Sequence, residues 1–159
     1  MRLRLVMIKQ ITKNSTIFVT CGIVYIIIEL LYRGYTSVSM FFCAGAIGLL
    51  ASLVNNLFSF EILLQWQLAI GIGIATFCEG ITGLMLVVIY GYNPVWDYSR
   101  LPFTFFWGQC NVFFCLIWAI LCFVAILIGD SVEYYLFDGK RAYYKVTKDK
   151  IWFWLPKKR

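Results

Sequence analysis

Four long stretches of apolar residues dominate the pattern along this chain, at about positions 16–32, 38–60, 62–90 and 103–128. A bilayer core about 30 Å thick needs some 20 apolar residues for each helical crossing, and each stretch comes close to or exceeds that length. A membrane barrel would instead alternate in segments of roughly ten residues. The pattern therefore predicts an all-α, polytopic membrane protein, a bundle of four transmembrane helices.

Short polar segments separate the predicted spans. A turn at 33–37 follows the first span, Glu61 marks the second turn, and the string GYNPVWDYSRLP occupies the linker 91–102. Proline and glycine stop regular helix in that linker. The sequence thus predicts a transmembrane domain at 1–129 and a separate tail at 130–159.

The basic residues predict the orientation of the spans, because Lys and Arg concentrate on the cytoplasmic side of a membrane. Four of the fourteen lie before Thr16 and eight lie after Gly129. Both termini are therefore expected in the cytoplasm, which requires an even number of spans. We expect a multi-pass protein of the bacterial plasma (inner) membrane.

The tail combines aromatic residues with cations, a composition typical of segments that lie among anionic lipid headgroups. Trp152 and Trp154 are expected at that interface, and Trp96 and Tyr98 of the linker at the opposite one. A basic tail also suits nucleic acid. Because membrane anchoring explains the same residues, the expected partner is the lipid bilayer, and no nucleic acid is expected.

Composition limits the chemistry that the chain can perform. Of the 159 residues 62% are hydrophobic and 14% are charged, whereas a soluble domain carries about a quarter charged residues. The chain has no histidine, and its six cysteines lie in apolar segments without a C-x-x-C pair. We therefore predict no cofactor, no metal site and no catalytic residue.

Two carboxylates, Glu29 and Glu79, lie inside predicted spans, where an ionised side chain costs about 2.5 kcal/mol or more. Glu79 belongs to a stripe of small residues at i, i+4 spacing, which marks a face where membrane helices approach each other. The helix-packing residues predicted in this way, on two spans, are Gly71, Ala75 and Gly83, and Ala44, Gly48, Ser52 and Asn56.

Topology places several charges at the outer half of the bundle. The predicted ligand-binding or ion-binding cluster there consists of Glu29, Arg33, Glu79, Asp97 and Arg100. Buried polar groups can instead serve only to fix which helices meet, and Arg33 can neutralise Glu29 locally at i+4. The linker is either an interfacial turn capped by Asp97 or a folded-back cap that turns Asp97 inward.

The chain also resembles the ABC-transporter type IV permease family, small membrane proteins common in Firmicutes and their mobile elements. The resemblance rests on Tyr25, Glu29, Leu30, Arg33, Gly34, Tyr35, Thr36, Ser37, Met40, Glu79, Gly80, Val95, Trp96, Asp97, Tyr98, Ser99, Leu101, Pro102, Gly108 and Gln109. Its most specific part is WDYS followed by LP. The resemblance implies a permease whose ATPase is a separate subunit, since the chain has no nucleotide-binding motif of its own.

Three functions are compatible with the sequence. The first is a small transporter-like or channel-like protein in which the outer cluster binds a cation or small polar ligand, as a homo-oligomer or with additional membrane subunits. The second is a structural or regulatory membrane subunit, holin-like or associated with a mobile element. The third, an intramembrane enzyme, is not expected because no nucleophile with a base is evident.

Overall fold

The computed structural model describes residues 2–58 and 60–158. Within them lie four helices, α1 (Arg2–Arg33), α2 (Val38–Phe58), α3 (Leu64–Tyr90) and α4 (Val112–Phe137). Each is long and apolar enough to cross a membrane. The prediction of four apolar helices in a mostly helical chain is confirmed.

The all-α prediction needs one correction, because the chain also forms two small antiparallel sheets. One pairs β1 (Thr104–Phe105) with β2 (Cys110–Asn111), and the other pairs β3 (Tyr143–Thr147) with β4 (Lys150–Trp154). The first sheet shapes the linker before α4. The second makes a hairpin of the tail, which we call the tail hairpin.

The helix bounds differ from the predicted spans where polar residues continue a helix. Helix α1 begins at Arg2 rather than near position 16, because Leu, Arg, Met, Lys and Gln all favour helix outside a membrane as well as inside it. At 32 residues it is about 48 Å long, longer than a bilayer core is thick. Its first three turns therefore extend beyond the bundle, and residues 3–12 are exposed.

Helix α4 begins at Val112 rather than near position 103. The apolar residues between these positions form the β1–β2 sheet and the turns beside it, where Phe103, Phe106 and Trp107 adopt positive φ angles of 60°, 56° and 54°. Such angles are uncommon for bulky residues and incompatible with a helix. Asn111 then caps α4, since its side-chain oxygen accepts a hydrogen bond from the Phe113 amide at 2.9 Å.

Helices α2 and α4 form the centre of the bundle. Each contacts the other as well as α1 and α3. The predicted small-residue positions lie mainly at these contacts: Gly71, Ala75 and Gly83 of α3 are buried, and so are Ala44, Gly48 and Ser52 of α2. Asn56 differs, because it is exposed and its neighbour Asn55 takes the buried position.

The tail hairpin packs against the end of the bundle where α3 begins and α4 ends. Tyr144 is fully buried there, and Lys145 forms a bridge with Leu63 and an ion pair with Glu61 at 2.5 Å. The pKa of Glu61 is lowered by hydrogen bonds, most strongly by the one from Lys145 and next by the one from Tyr143. The tail predicted from position 130 is therefore partly helix and partly a docked sheet.

Candidate functional site

A polar cluster lies where α1 ends, beneath the linker 91–111. Glu29 of α1 is 7% exposed and accepts hydrogen bonds from Arg33 at 2.5 Å, from Tyr25 at 3.4 Å and from the hydroxyl of Thr36. The predicted ion pair between Glu29 and Arg33 is thus present. Arg33 also donates to the carbonyl of Val95 at 3.3 Å, which fastens the linker to the first helix.

Glu79 of α3 is buried more deeply, with 3% of its surface exposed. One carboxylate oxygen accepts from the Tyr98 hydroxyl and the other from Nε1 of Trp118, each at 3.1 Å. Both donors are neutral. Among the residues that the structure describes, no Lys or Arg nitrogen lies within 4.0 Å of this carboxylate. The carboxyl group of Glu79 is therefore hydrogen-bonded but has no cation paired with it.

The linker folds back over the bundle as a cap. Asn93 organises it, because its side-chain oxygen accepts from the amide of Val95 at 2.9 Å and its side-chain nitrogen donates to Oε1 of Gln109 at 2.7 Å. Trp96 donates from Nε1 to the Gln109 carbonyl at 2.9 Å. Trp96 and Tyr98, which were predicted as interfacial rings, are half-buried and make hydrogen bonds to other residues of the protein.

Small residues on α3 let the cap sit directly on the helix. A Cβ at Gly80 would lie 2.7 Å from Cδ1 of Phe106, and one at Gly83 would meet the side chain of Gln109. The stripe of α3 therefore receives the linker at its C-terminal end. Its N-terminal part approaches another helix, because a Cβ at Gly71 would lie 3.0 Å from that of Cys122 in α4.

Asp97 and Arg100 do not join the cluster. Both are exposed, and Asp97 caps a turn by accepting from the amide of Ser99 at 2.8 Å. Hydrogen bonds from Ser99 lower the pKa of Asp97. Of the two alternatives for the linker, the folded-back cap is present, yet Asp97 does not turn inward and plays the capping role of the other alternative.

A cleft of about 300 Å³ opens beside the cluster, between α1, α4 and the linker. Its lining residues are Tyr25, Ile28, Glu29, Tyr32, Arg33, Tyr98, Phe114, Ile117 and Leu121. We call it the outer cleft, after the half of the bundle that the basic residues predict to face the outside. The structure thus brings Glu29, Arg33 and the tyrosine partner of Glu79 to one cavity, while Asp97 and Arg100 lie outside it.

Stacked aromatic pairs hold the tyrosines of the outer cleft in place. Tyr98 stacks on Phe114 with ring centroids 4.6 Å apart, and Tyr25 stacks on Trp118 at 5.9 Å. Burial, with the negative charge of Glu79 adding to it, raises the pKa of Tyr98, so its hydroxyl keeps the proton that it donates. Tyr98 and Trp118 therefore lie between Glu79 and the outer cleft, and we call these two rings the aromatic wall.

A second buried carboxylate, Asp130, lies near the other end of α4 and was not predicted. It is 4% exposed and accepts hydrogen bonds from Asn55 and from Tyr144 of the tail hairpin, each at 2.7 Å. The sequence did contain a signal, since Trp118, Cys122, Ile126 and Asp130 recur at i, i+4 on one face. The fourth span was predicted to end at position 128, so Asp130 fell in the predicted tail.

Apolar packing separates the two carboxylate sites. Trp118 and Asp130 are twelve residues apart on α4, which corresponds to about 18 Å along the helix axis. Cys122 and Ile126 lie between them and are fully buried. The described residues therefore form two polar sites at opposite ends of the bundle, with a dry segment between them.

Other site chemistry is limited within the described residues. Six cysteines are free, and no group of three or more Cys, Asp or Glu side chains could hold a metal ion in the part of the chain that the structure describes. Comparison with protein-family models, curated proteins and solved structures found no match. The resemblance to the ABC-transporter type IV permeases accordingly stays a prediction.

Proposed function

We propose that this chain is a small, non-enzymatic membrane protein of the transporter or permease type, whose outer cluster binds a cation or a small polar ligand. The observation that carries the proposal is the state of Glu79. This carboxylate is buried beside a cleft and has only neutral donors around it. A buried carboxylate without a paired cation is costly, so such groups in membrane helices often mark ion or substrate pathways.

The charge balance of the cluster favours a cation over an anion. Arg33 neutralises Glu29 through their ion pair, which leaves the charge of Glu79 as the net charge of the cluster. A monovalent cation in the outer cleft would lie near the aromatic rings of Tyr25 and Tyr98 and near the negative charge of Glu79. Attraction between charges is strong where little water intervenes.

The setting in the cell is part of the same proposal. We place the chain in the bacterial plasma membrane with both termini in the cytoplasm, because twelve of its fourteen basic residues lie at the two ends. The outer cluster then faces the outside. The tail hairpin, with Trp152 and Trp154 exposed, would rest at the cytoplasmic lipid surface.

The dry segment between Glu79 and Asp130 affects how transport would occur. One copy offers no continuous polar path through its described residues, so a permease would have to form its path with further copies or subunits. The family resemblance supports this arrangement, since it implies a separate ATPase. The same dry segment also favours a second candidate, a structural or regulatory membrane subunit that transports nothing itself.

Thermal unfolding of the purified protein in detergent tests cation binding at Glu79. The measurement compares wild type, Glu79→Gln and the matched surface variant Asp97→Asn over a series of Li⁺, Na⁺, K⁺, Cs⁺ and tetraalkylammonium concentrations. A bound cation stabilises the folded state by about 2.7 kcal/mol when its concentration is a hundred times Kd. For wild type and Asp97→Asn we expect the unfolding midpoint to rise with the logarithm of the cation concentration once that concentration exceeds Kd, and we expect no such rise for Glu79→Gln.

Salt effects that do not involve the site act on all three proteins alike. An equal shift in wild type and Glu79→Gln, or no shift of the wild-type midpoint with any cation, would therefore remove the proposal. The structural-subunit candidate predicts that second result.

A further inference from the structure

The lining of the outer cleft differs from that of a site for an inorganic ion. Inorganic cations such as Na⁺ or Mg²⁺ bind to several oxygen ligands that converge on one point. Here the one carboxylate that lines the cleft, Glu29, is already engaged by three donors. Most of the remaining lining is aromatic or aliphatic.

Aromatic rings supply a different kind of cation site. The faces of Tyr and Phe rings carry negative charge density and attract cations, and cages of such rings recognise quaternary ammonium groups. Tyr25, Tyr32, Tyr98 and Phe114 all line the outer cleft. Two of these tyrosines donate their hydroxyl protons to carboxylates, Tyr25 to Glu29 and Tyr98 to Glu79, which makes their rings richer in electrons.

The size and the apolar part of the cleft also fit an organic molecule. About 300 Å³ is at the lower end of the range for small-molecule sites. Ile28, Ile117 and Leu121 complete the lining, and Ile28 and Ile117 are exposed at the surface. Alkyl groups on a cation would find apolar contacts there, whereas a hydrated ion would lose water without replacement.

We infer that the outer cleft binds an organic monovalent cation, an alkylammonium with its charge against the tyrosine rings and its alkyl groups against Ile117 and Leu121. This inference rests on the proposed function and names the class of its ligand. Glu79 supplies the net negative charge from behind the aromatic wall. Tyr25 and Tyr98 supply the faces that contact the ligand.

Equilibrium titration with tetraethylammonium and with K⁺ tests the inference, read by intrinsic tryptophan fluorescence because Trp118 stacks on Tyr25 and bonds to Glu79. We expect tetraethylammonium to bind at least about tenfold more tightly than K⁺, because each ring contact contributes a cation–π attraction. Tyr25→Leu should weaken tetraethylammonium binding about tenfold, whereas Tyr25→Phe, which keeps the ring, should stay within about threefold.

Tyr92→Leu is the matched control, because Tyr92 is an exposed tyrosine of the linker outside the cleft. It should bind tetraethylammonium as wild type does. Should Tyr25→Leu fail to fold, two comparisons still test the inference. One compares tetraethylammonium binding by Tyr25→Phe and wild type, and the other compares the binding of tetraethylammonium and K⁺ by wild type.

Three results would overturn the inference in distinguishable ways. Binding of K⁺ or Na⁺ at least as tight as that of tetraethylammonium, still abolished by Glu79→Gln, would reject the organic ligand and keep the proposed cation site. Absence of binding for every cation would reject both. Equal binding by Tyr25→Leu and wild type would show that the ligand binds outside this cleft.

Discussion

At the scale of single residues, Glu79 and the glycines of α3 show how one helix face serves two purposes. The outer part of the face carries a buried carboxylate and receives the cap, while Gly71 brings α3 into close contact with α4. Small residues allow this approach, which supplies packing contacts that a membrane core otherwise lacks. A charge and a close helix contact are thus built on the same stripe.

Substitution of Gly71 tests the close contact. Gly71→Leu should lower the stability of the bundle by about 1 to 3 kcal/mol, since its side chain would overlap Cys122. Gly73→Leu is the matched control two residues away, where an added Cβ meets nothing within 4 Å. The unfolding midpoint in detergent measures both, and equal effects of the two substitutions would contradict the packing role of Gly71.

At the scale of elements, the tail hairpin is held to the bundle by a buried hydrogen bond. Tyr144 donates to Asp130 at 2.7 Å, and burial together with the charge of Asp130 raises the pKa of Tyr144. The surface pair of Glu61 and Lys145 adds an exposed contact of the kind that contributes little. We therefore expect the buried bond to contribute more to the docking of the hairpin than this surface pair does.

Removal of the Tyr144 hydroxyl tests this attachment. Tyr144→Phe leaves Asp130 with Asn55 as its donor, a loss that typically costs about 1 to 3 kcal/mol for a buried acceptor. Amide hydrogen exchange should therefore speed up in β3 and β4 and stay unchanged in α2. Tyr92→Phe, at an exposed tyrosine of the linker, provides the control. Unchanged exchange in the hairpin would mean that aromatic packing alone holds it.

The elements also show which features the sequence could predict. The four apolar helices and the burial of Gly71, Ala75 and Gly83 follow from hydrophobicity and i, i+4 spacing, which are local properties. The β1–β2 turn could not be predicted, because its aromatic residues have the hydrophobicity of a transmembrane span. Only the structure shows that their backbone is left-handed and cannot be helical. The tail hairpin depends on a long-range bond from Tyr144 to Asp130, which no local pattern records.

The candidate site could also be predicted only where its contacts are local in the chain. Glu29 and Arg33 are one helical turn apart, so their pairing could be read from spacing. Trp118 and Tyr98 reach Glu79 only through the fold, so the neutral donors around this carboxylate could not be predicted from local spacing. Asp97 stands next to Tyr98 in the chain, yet a turn at Ser99 directs it to the surface.

At the scale of the whole molecule, the bundle has a polar site at each end and a dry centre. The charge distribution predicts which end is outside, and labelling of intact cells with a membrane-impermeant maleimide checks it. Arg100→Cys should react from outside, whereas Lys148→Cys should react only after the membrane is permeabilised. Wild type sets the background of the six native cysteines, and the reverse labelling pattern would invert our topology.

The proposed function depends most on the claim that a bound cation balances the charge of Glu79. Infrared difference spectroscopy, with and without tetraethylammonium, measures carboxylates directly. We predict a perturbed carboxylate band in wild type and Asp97→Asn that is missing in Glu79→Gln. The same band in Glu79→Gln, or no carboxylate band in wild type at saturating cation, would contradict the claim.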